Sequence, residues 1–565
     1  PPPPPPPPPP PAGGPPAALS ITNTQVAGVD EGGIVKLRGD IMVILRRGRL
    51  FTVSLAGGGM RPVSTIDAFP PGIDGRGDWY DEMLIAGDRV VVIGYSYRRR
   101  GSQVNRFRLD AEGRLTFEDS YQLRSNDYYS SRNYASRLIG NRLILYSPLD
   151  FKHQGDPLDS LPGMAQWRPG ATASPFRRIA AARRVYIPNA LRDVRNARLT
   201  TLHSVTSCDL AAPVLDCQAT VVLGSASRTF FVSGNAVYLW VDSVWKKRRN
   251  RAANAFLYRI PFDGGRPSAV QARGSPVDQF SFYPDAPRSA LQVVVRADGG
   301  GDSMWRPEVT NGNVALVSVP MAAFGSGGDE VPLDRYQSLP LPEGDSWRFH
   351  NRFVGDHLLY GAGRFEPGGS VIAVSLADRG VHRLATEHGI DRIDAIGPDA
   401  ILVGSGRGGL GFSAVRLGGA APAIGETFML PDAREGETRS HAFFFRPDRD
   451  SADGGSGLLG LPAARFLTVD GYRRNSAAML FLSRRDGRLA LTGELAASTG
   501  AGNPSDDGCQ ASCVDWYGNA RPIFIGDRIF ALLGYELVEG AVAPRGMRVR
   551  EVGRTSFAPA APRPR

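Results

Sequence analysis

Ile523-Phe524-Ile525-Gly526-Asp527-Arg528-Ile529-Phe530-Ala531-Leu532-Leu533 sets two apolar runs of strand length on either side of a Gly-Asp pair. Glycine followed by Asp or Asn suits a two-residue hairpin whose first central position needs a positive φ. The same punctuation recurs at Gly39-Asp40, Gly87-Asp88, Gly140-Asn141, Gly234-Asn235 and Gly355-Asp356, with Gly397-Pro398-Asp399 as a longer variant. In most units a third and a fourth apolar run follow, as in Val371-Ile372-Ala373-Val374 and Val381-His382-Arg383-Leu384. Two units with degenerate turns fit the long gaps, near Asp278-Gln279-Phe280-Ser281-Phe282 and near His441-Ala442-Phe443-Phe444-Phe445.

Helical periodicity is almost absent, so the chain reads as all-β. Four-stranded units returning every roughly 40–55 residues are the signature of a β-propeller. The expectation is a single β-propeller of eight to nine blades over residues 18–557, with an irregular insertion at about 150–198. The last unit offers only three strands by sequence: Arg521 to Ile525, Ile529 to Val538 and Met547 to Arg554. The N-terminal run Leu19 to Val26 is expected to close the ring as the fourth, removing an exposed sheet edge.

The 565 residues are too many for one compact core of ordinary size, which repetition resolves. Hydrophobic residues make up 42% and charged ones 22%, a globular balance. No run of about 18 apolar residues occurs, so no transmembrane helix is expected. The net charge is +10, yet only four of the 66 basic residues are lysines. So lopsided a ratio, with abundant Gly, Ala and Pro, looks like the codon bias of a GC-rich bacterial genome. The basic residues are scattered, and nucleic-acid binding is not expected. The dense runs Arg98-Arg99-Arg100 and Lys246 to Arg251 read as solvated hairpin tips. Residues 1–17 are proline-dominated and should form a polyproline II spacer; residues 558–565 form a Pro/Ala/Arg tail. The chain begins with Pro1, so a signal or anchor segment is presumed to precede it.

Four cysteines fall into two close pairs, Cys208/Cys217 and Cys509/Cys513. Two local disulfides and an oxidising compartment are the leading reading. Cys208 should end the third strand of its unit and Cys217 begin the fourth. A metal site is the rival, although only the second pair has zinc-ligand spacing, and reduced thiols are a further alternative.

The stretch Thr22-Asn23-Thr24-Gln25-Val26-Ala27-Gly28-Val29-Asp30-Glu31-Gly32-Gly33-Ile34-Val35-Lys36 resembles the opening motif of the secreted C-terminal β-propeller family distantly related to WD-40 repeats. That motif reads approximately T-N-x-Q-V-x-G-V-D-E-A-D-I-V-K. Tyr129-Ser130-Ser131-Arg132, Asp278-Gln279-Phe280-Ser281 and His441-Ala442-Phe443-Phe444-Phe445 resemble later blocks of the family, in order, so the likeness runs from about residue 20 to 557. Gly32-Gly33 stands where the motif has Ala-Asp, which removes one family carboxylate. The resemblance implies a secreted, periplasmic or cell-surface bacterial propeller and supplies no mechanism.

No Walker loop, H-E-x-x-H helix or G-x-S-x-G elbow is present, and the seven histidines do not cluster. Gly404-Ser405-Gly406-Arg407-Gly408-Gly409 is glycine-rich but lies in a hairpin with no helix to follow. What remains is a set of polar residues placed just before the inner strands, where a propeller opens into a funnel. These are Asp30, Glu31, Asp278, Arg348, Asp391, His441, Asp515 and Arg521. Their carboxylates would suit a divalent cation such as calcium, or acid–base work, or simply strand capping and pairing with arginines across blades. Trp516, in Asp515-Trp516-Tyr517-Gly518-Asn519-Ala520-Arg521, is either a recognition anchor or packing under the ring closure. Repetition without a concentrated catalytic motif favours a monomeric, non-catalytic scaffold for a protein or polysaccharide. A propeller hydrolase using the funnel carboxylates, with or without a metal, is the alternative.

Overall fold

In the computed structural model the four main strands of every blade pair antiparallel, as the turn punctuation requires, and among the described residues parallel pairing occurs only where short strands join the outer edges of two blades. The structure describes residues 21–559 apart from 127–134, 152–155, 171–174, 193–194, 196, 243, 246–252, 300–309, 344–348, 364–367, 470–471, 499–506 and 543–547. No α-helix occurs among the described residues. Nine four-stranded blades follow one another around a ring, over residues 35–67, 78–123, 136–224, 229–272, 275–339, 349–386, 392–431, 444–496 and 520–556 (blades 1 to 9). The count is the upper of the two expected values.

The Gly-Asp and Gly-Asn pairs join the innermost strand of a blade to the second. Gly39, Gly87, Gly140, Gly355, Gly397 and Gly526 all have φ between 53° and 67°, the conformation that favours glycine there. Gly234 departs from this: Val232 pairs with Val237 across a wider loop held by Ser233. The two units with degenerate turns are blades 5 and 8. Each begins with one turn of 3-10 helix, Gln279–Ser281 and Ser440–Ala442, before the inner strand.

Middle strands are sandwiched between neighbouring blades and so read as unbroken apolar runs. Ile41–Arg46 is buried throughout, whereas the outer strand Arg61–Asp67 is largely exposed. The cores lie between blades, and each fully buried Leu, Ile, Val or Phe contributes about 1.5–3 kcal/mol. Blade 9 packs on blade 1 through Phe530, Leu532 and Tyr535 against Met42, Ile44 and Phe51, which shuts the ring. Arg98–Arg100 form a hairpin tip, as expected, between Arg89–Ser96 and Gly101–Leu109. The residues inserted near 150–198 add short strands to the outer edges of blades 2 and 3: Gly163–Gln166 pairs with Leu115–Leu123, and Val185–Tyr186 with Asp216–Gly224.

Both expected disulfides are present, in unlike settings. Cys208 pairs with Cys217 directly across the third and fourth strands of blade 3, and both are buried. The Cys509–Cys513 bridge instead closes a short loop outside any strand, ahead of blade 9, and Cys513 is exposed rather than set in a core. What fixes that loop is its backbone: the Cys513 carbonyl accepts from Arg47 Nε (3.2 Å) and Nη2 (2.9 Å) of blade 1. With both sulfurs of the pair bonded to each other, the rival zinc reading of Cys509 and Cys513 falls away.

One expectation about the ring is overturned. Blade 9 has four strands of its own, Ala520–Ile525, Arg528–Leu533, Glu536–Val542 and Val549–Ser556. The run read as Ile529 to Val538 is two strands with a turn at Gly534-Tyr535. Nothing is left for Leu19 to Val26 to complete, and its described part, residues 21–26, forms no strand.

That segment instead crosses the central channel. Ile21 lies in the core shared by blades 9 and 1. Asn23 Nδ2 donates to Asp394 Oδ1 of blade 7 (3.1 Å) and to the Ser440 carbonyl beside blade 8 (3.2 Å). Gln25 Nε2 donates to the carbonyls of Gln279 and Phe282 at blade 5 (2.9 and 3.3 Å). Asp30–Glu31 then pairs with the inner strand Ser136–Ile139 of blade 3, and Gly33 bridges to Met83 of blade 2. The amides of this polar segment fill the gap that nine inner strands leave, and they satisfy blade carbonyls that would otherwise face it.

Gly32 shows how closely the crossing fits. A Cβ there would stand within 2.6 Å of Glu82 Oε2 and closer still to Ser136 Oγ. Alanine, which the resembled motif carries, has no room beside this Glu82.

Candidate functional site

The sequence-derived residues separate into three groups, and Arg348 lies outside the described residues, as do the Tyr129-Ser130-Ser131-Arg132 block and Lys246 to Arg251. The first group holds the channel crossing. Lys36 Nζ, buried in the inner strand of blade 1, donates to Asp30 Oδ1 (2.7 Å), the Glu31 carbonyl (2.6 Å) and Thr22 Oγ1 (3.1 Å). Glu31, with a side chain 4% exposed, accepts from His441 Nε2 of the blade 8 turn (3.0 Å) and faces Arg137 of blade 3 at 3.8 Å. Burial opposes its charge, but Arg137 and His441 outweigh burial and hold the carboxyl down at about 2. Burial lowers His441 to about 4 against the pull of Glu31, so a neutral imidazole donates its Nε2–H. Asp30, Glu31 and His441 are therefore tied into the fold by pairing, which fits the capping and pairing role among the readings above, although the Asp30 side chain stays 33% exposed.

The second group lines a cavity of about 530 Å³ at the channel mouth, between blades 5, 6, 7 and 8. Asp278 caps the short 3-10 turn of blade 5 by accepting from Phe280 N (2.9 Å), and it accepts from Asn351 Nδ2 (3.3 Å). Asp391 accepts from the Ser405 backbone and hydroxyl (2.9 and 3.2 Å) on the far wall. Between them lies a charge network that the sequence reading missed. Arg392 donates to Glu435 Oε1 (2.5 Å), Asp394 Oδ2 (3.1 Å) and the carbonyls of Glu437 and Arg439. Arg352 faces Asp394 at 3.3 Å and lies over the Phe280 ring at 4.4 Å.

Among the described residues, the buried polar atoms lining this cavity that find no hydrogen-bond partner include Glu435 Oε2, Asn351 Oδ1 and Ser440 Oγ. The Glu435 side chain is 6% exposed. Burial, with the charges of Asp391 and Asp394, pushes its carboxyl up to about 7 despite Arg392. A buried polar atom without a partner typically costs about 1–3 kcal/mol, a cost that a bound group or water can offset.

The third group extends the cavity sideways. A groove of about 410 Å³ shares Thr438 and Arg439 with it and runs to Asp515, Trp516 and Asn519. Asp515 is held by Arg46 (3.1 Å) and Asn519 (2.9 Å). Trp516 is 43% exposed and tilts against Trp79 at 6.2 Å between ring centres. Arg439 lies 4.0 Å over the Tyr517 ring and donates to the Trp516 carbonyl. Arg521 is buried and not part of the groove wall; it ties Glu437 (2.5 Å) and the Tyr517 carbonyl (2.6 Å) together behind it. Cys513, three residues before Trp516, lines neither space; its bridge to Cys509 serves the loop and not the site. Among the described residues, no three His, Cys, Asp or Glu side chains converge as a metal ion requires.

The missed residues had one signal. Arg434-Glu435-Gly436-Glu437-Thr438-Arg439 is a charge-dense stretch just before a unit's first strand, the very placement used to choose the other candidates.

Among curated proteins none matches the chain. Of solved structures, it is similar to a putative 6-phosphogluconolactonase from Bacteroides fragilis, at 11% identity and a TM-score of 0.28 over 63% of this chain and 91% of that one. It is also similar to a prolyl endopeptidase, at 9% identity and a TM-score of 0.32 over 82% of this chain and 56% of that one. A third likeness is to TolB from Acinetobacter baumannii, at 11% identity and a TM-score of 0.24 over 52% and 64%. The model of the "Beta propeller domain" family matches residues 19–326, more than half of the chain and the part that opens with the channel-crossing segment. With nine blades in one ring and that match, the chain belongs to the β-propeller domain family.

Proposed function

We propose that this propeller is an exported, non-catalytic binding scaffold that holds a polysaccharide across its channel mouth. One observation carries the reading: a cavity lined by buried polar atoms without partners among the described residues opens, through Thr438 and Arg439, into a groove that ends at an exposed tryptophan. Carbohydrate sites combine those two elements, fixed polar groups for ring hydroxyls and an aromatic face for the apolar side of a sugar. Together the two spaces have room for a short oligosaccharide, whereas the channel behind them is filled by the segment 21–31. Two disulfides support an oxidising compartment, and no helix among the described residues is long and apolar enough to cross a membrane. The proline-dominated residues 1–17 suit a spacer that holds such a domain away from a surface.

The test is a polysaccharide and oligosaccharide array probed with the wild-type chain and with Trp516→Ala. Saturable binding that the variant loses, at an unchanged melting temperature, is the expected result. Wild-type binding to no glycan, or binding indifferent to Trp516, contradicts it. Steady release of reducing ends from a bound glycan would replace the scaffold with a hydrolase.

A further inference from the structure

The chain enters the ring beside the groove at the channel mouth. Ile21, the first described residue, lies in the core that also holds Tyr517. Two residues on, Asn23 Nδ2 donates to the Ser440 carbonyl at 3.2 Å. The groove is walled by residues 436–439 on one side and by residues 515, 516, 518 and 519 on the other, so each wall adjoins one of these two fixed points. Ahead of Ile21 the sequence reads Pro1 to Pro11, Ala12-Gly13-Gly14, Pro15-Pro16 and Ala17-Ala18-Leu19-Ser20. Pro11 stands ten residues before Ile21, a span of up to about 35 Å. Gly13-Gly14 between them allows the chain to turn back. The groove is therefore within reach of the proline run of the same molecule.

We infer that this groove is a polyproline-binding site whose occupant, in the absence of another ligand, is the run Pro1 to Pro11 of the same chain. A prolyl run has no N–H to donate, and its stiff polyproline II form has little conformational freedom to lose on binding. It is recognised by aromatic faces that take its rings and by donors that meet its carbonyls. The groove brings both together. Trp516 is 43% exposed, and Trp79 stands beside it with ring centres 6.2 Å apart. Thr438, Arg439 and Asn519 carry hydroxyl, guanidinium and amide donor groups at the walls. Tethering raises the local concentration of the run to about 1 mM, so a groove that binds free polyproline with a Kd of about 0.1 mM is filled about ten times as often as it is empty. The docking stands on the groove itself; that the run and a glycan exclude each other at Trp516 rests on the polysaccharide reading above. A run displaced by a glycan is released to act as the spacer.

The experiment titrates a synthetic proline decamer, with a Gly-Ser decamer as control, into the full chain and into a full-length variant carrying Pro1→Ser through Pro11→Ser, with folding verified by melting curves. The serine variant is expected to bind the proline decamer and not the control, and the wild type to bind it at least tenfold more weakly. Adding Trp516→Ala to the serine variant should abolish decamer binding at an unchanged melting temperature. The serine variant should also hold any glycan that the wild type binds at least tenfold more tightly. No decamer binding by the serine variant, equal binding by variant and wild type, or binding indifferent to Trp516 overturns the inference. The expected decamer pattern in a chain that binds no glycan upholds the inference and overturns the polysaccharide reading alone. Unaltered glycan binding by the serine variant, with no decamer bound, does the reverse.

Discussion

Glu31 and Glu435 are both buried glutamates that face an arginine at the centre of the ring, and they end in opposite states. Glu31 is met by Arg137, His441 and the Gln25 amide, and its carboxyl is held at about 2. Glu435 is met by Arg392 on one oxygen only, and its carboxyl is pushed up to about 7. The difference is not depth of burial, which is nearly equal. It is whether the fold has spent the whole hydrogen-bonding capacity of the group. A carboxylate whose capacity is used up holds blades together. One with an idle oxygen beside a cavity costs stability, and that cost has a use only when something binds.

The largest expected effect falls on the saturated side. Glu31→Ala leaves Arg137 buried without its carboxylate and releases the channel crossing from blades 3 and 8. A loss of about 3–5 kcal/mol is expected by denaturant unfolding. An effect under about 1 kcal/mol would mean that the crossing segment is not part of the core. Gly32→Ala should come next, at about 1–3 kcal/mol, because the added methyl meets Glu82 and Ser136. Asp30→Ala should also destabilise, but less than Glu31→Ala. Its side chain is 33% exposed, and Lys36 keeps the Glu31 carbonyl and Thr22.

The cavity side should respond in reverse. Glu435→Gln retains an acceptor for Arg392 and removes a charge that burial opposes, so its stability at neutral pH should stay within about 1 kcal/mol of wild type. Trp516→Ala removes a side chain that is 43% exposed and should shift stability by no more than about 0.5 kcal/mol, the smallest effect of the series. A Trp516→Ala chain that unfolds readily would make the tryptophan a closure residue and remove it from the groove.

The ring was legible in the sequence because its cause is local. Each Gly-Asp pair needs one backbone conformation, and that need repeats wherever an inner strand turns back. Even the degenerate units of blades 5 and 8 were placed by Asp278 and His441. The cysteine pairs were legible for the same reason, each bridge joining residues close in sequence, although the exposed setting of Cys513 was not. The path of residues 21–34 was not legible. Its partners, Ser136, Gln279, Asp394 and Ser440, are far away in sequence, and a polar segment with a few apolar residues resembles an edge strand until those partners are known. Asp278, Asp391, Asp515 and Trp516 were found by position before an inner strand, and they do line the cavity and groove. Asp30, Glu31 and His441 were chosen by the same rule and serve the fold. The rule finds the channel end of a blade but does not count hydrogen bonds. Glu435 and Asn351 stand out only by such a count.

The contrast between the two glutamates has a pH signature of opposite sign. The depressed Glu31 contributes stability that is present above the ordinary carboxylate range and is lost as pH falls through about 2. His441, also depressed, adds stability that is lost as pH falls from its ordinary value through about 4. The raised Glu435 contributes stability that is complete below the ordinary carboxylate range and is lost as pH rises through about 7. The decisive measurement is therefore the unfolding free energy of wild type, Glu31→Gln and Glu435→Gln from about pH 5.5 to about pH 8. Glu435→Gln should gain on wild type as pH rises through this window, while Glu31→Gln stays below wild type by a nearly constant margin. A Glu435→Gln profile parallel to wild type, or one as low as Glu31→Gln throughout, would contradict the division of the two carboxylates into site and structure.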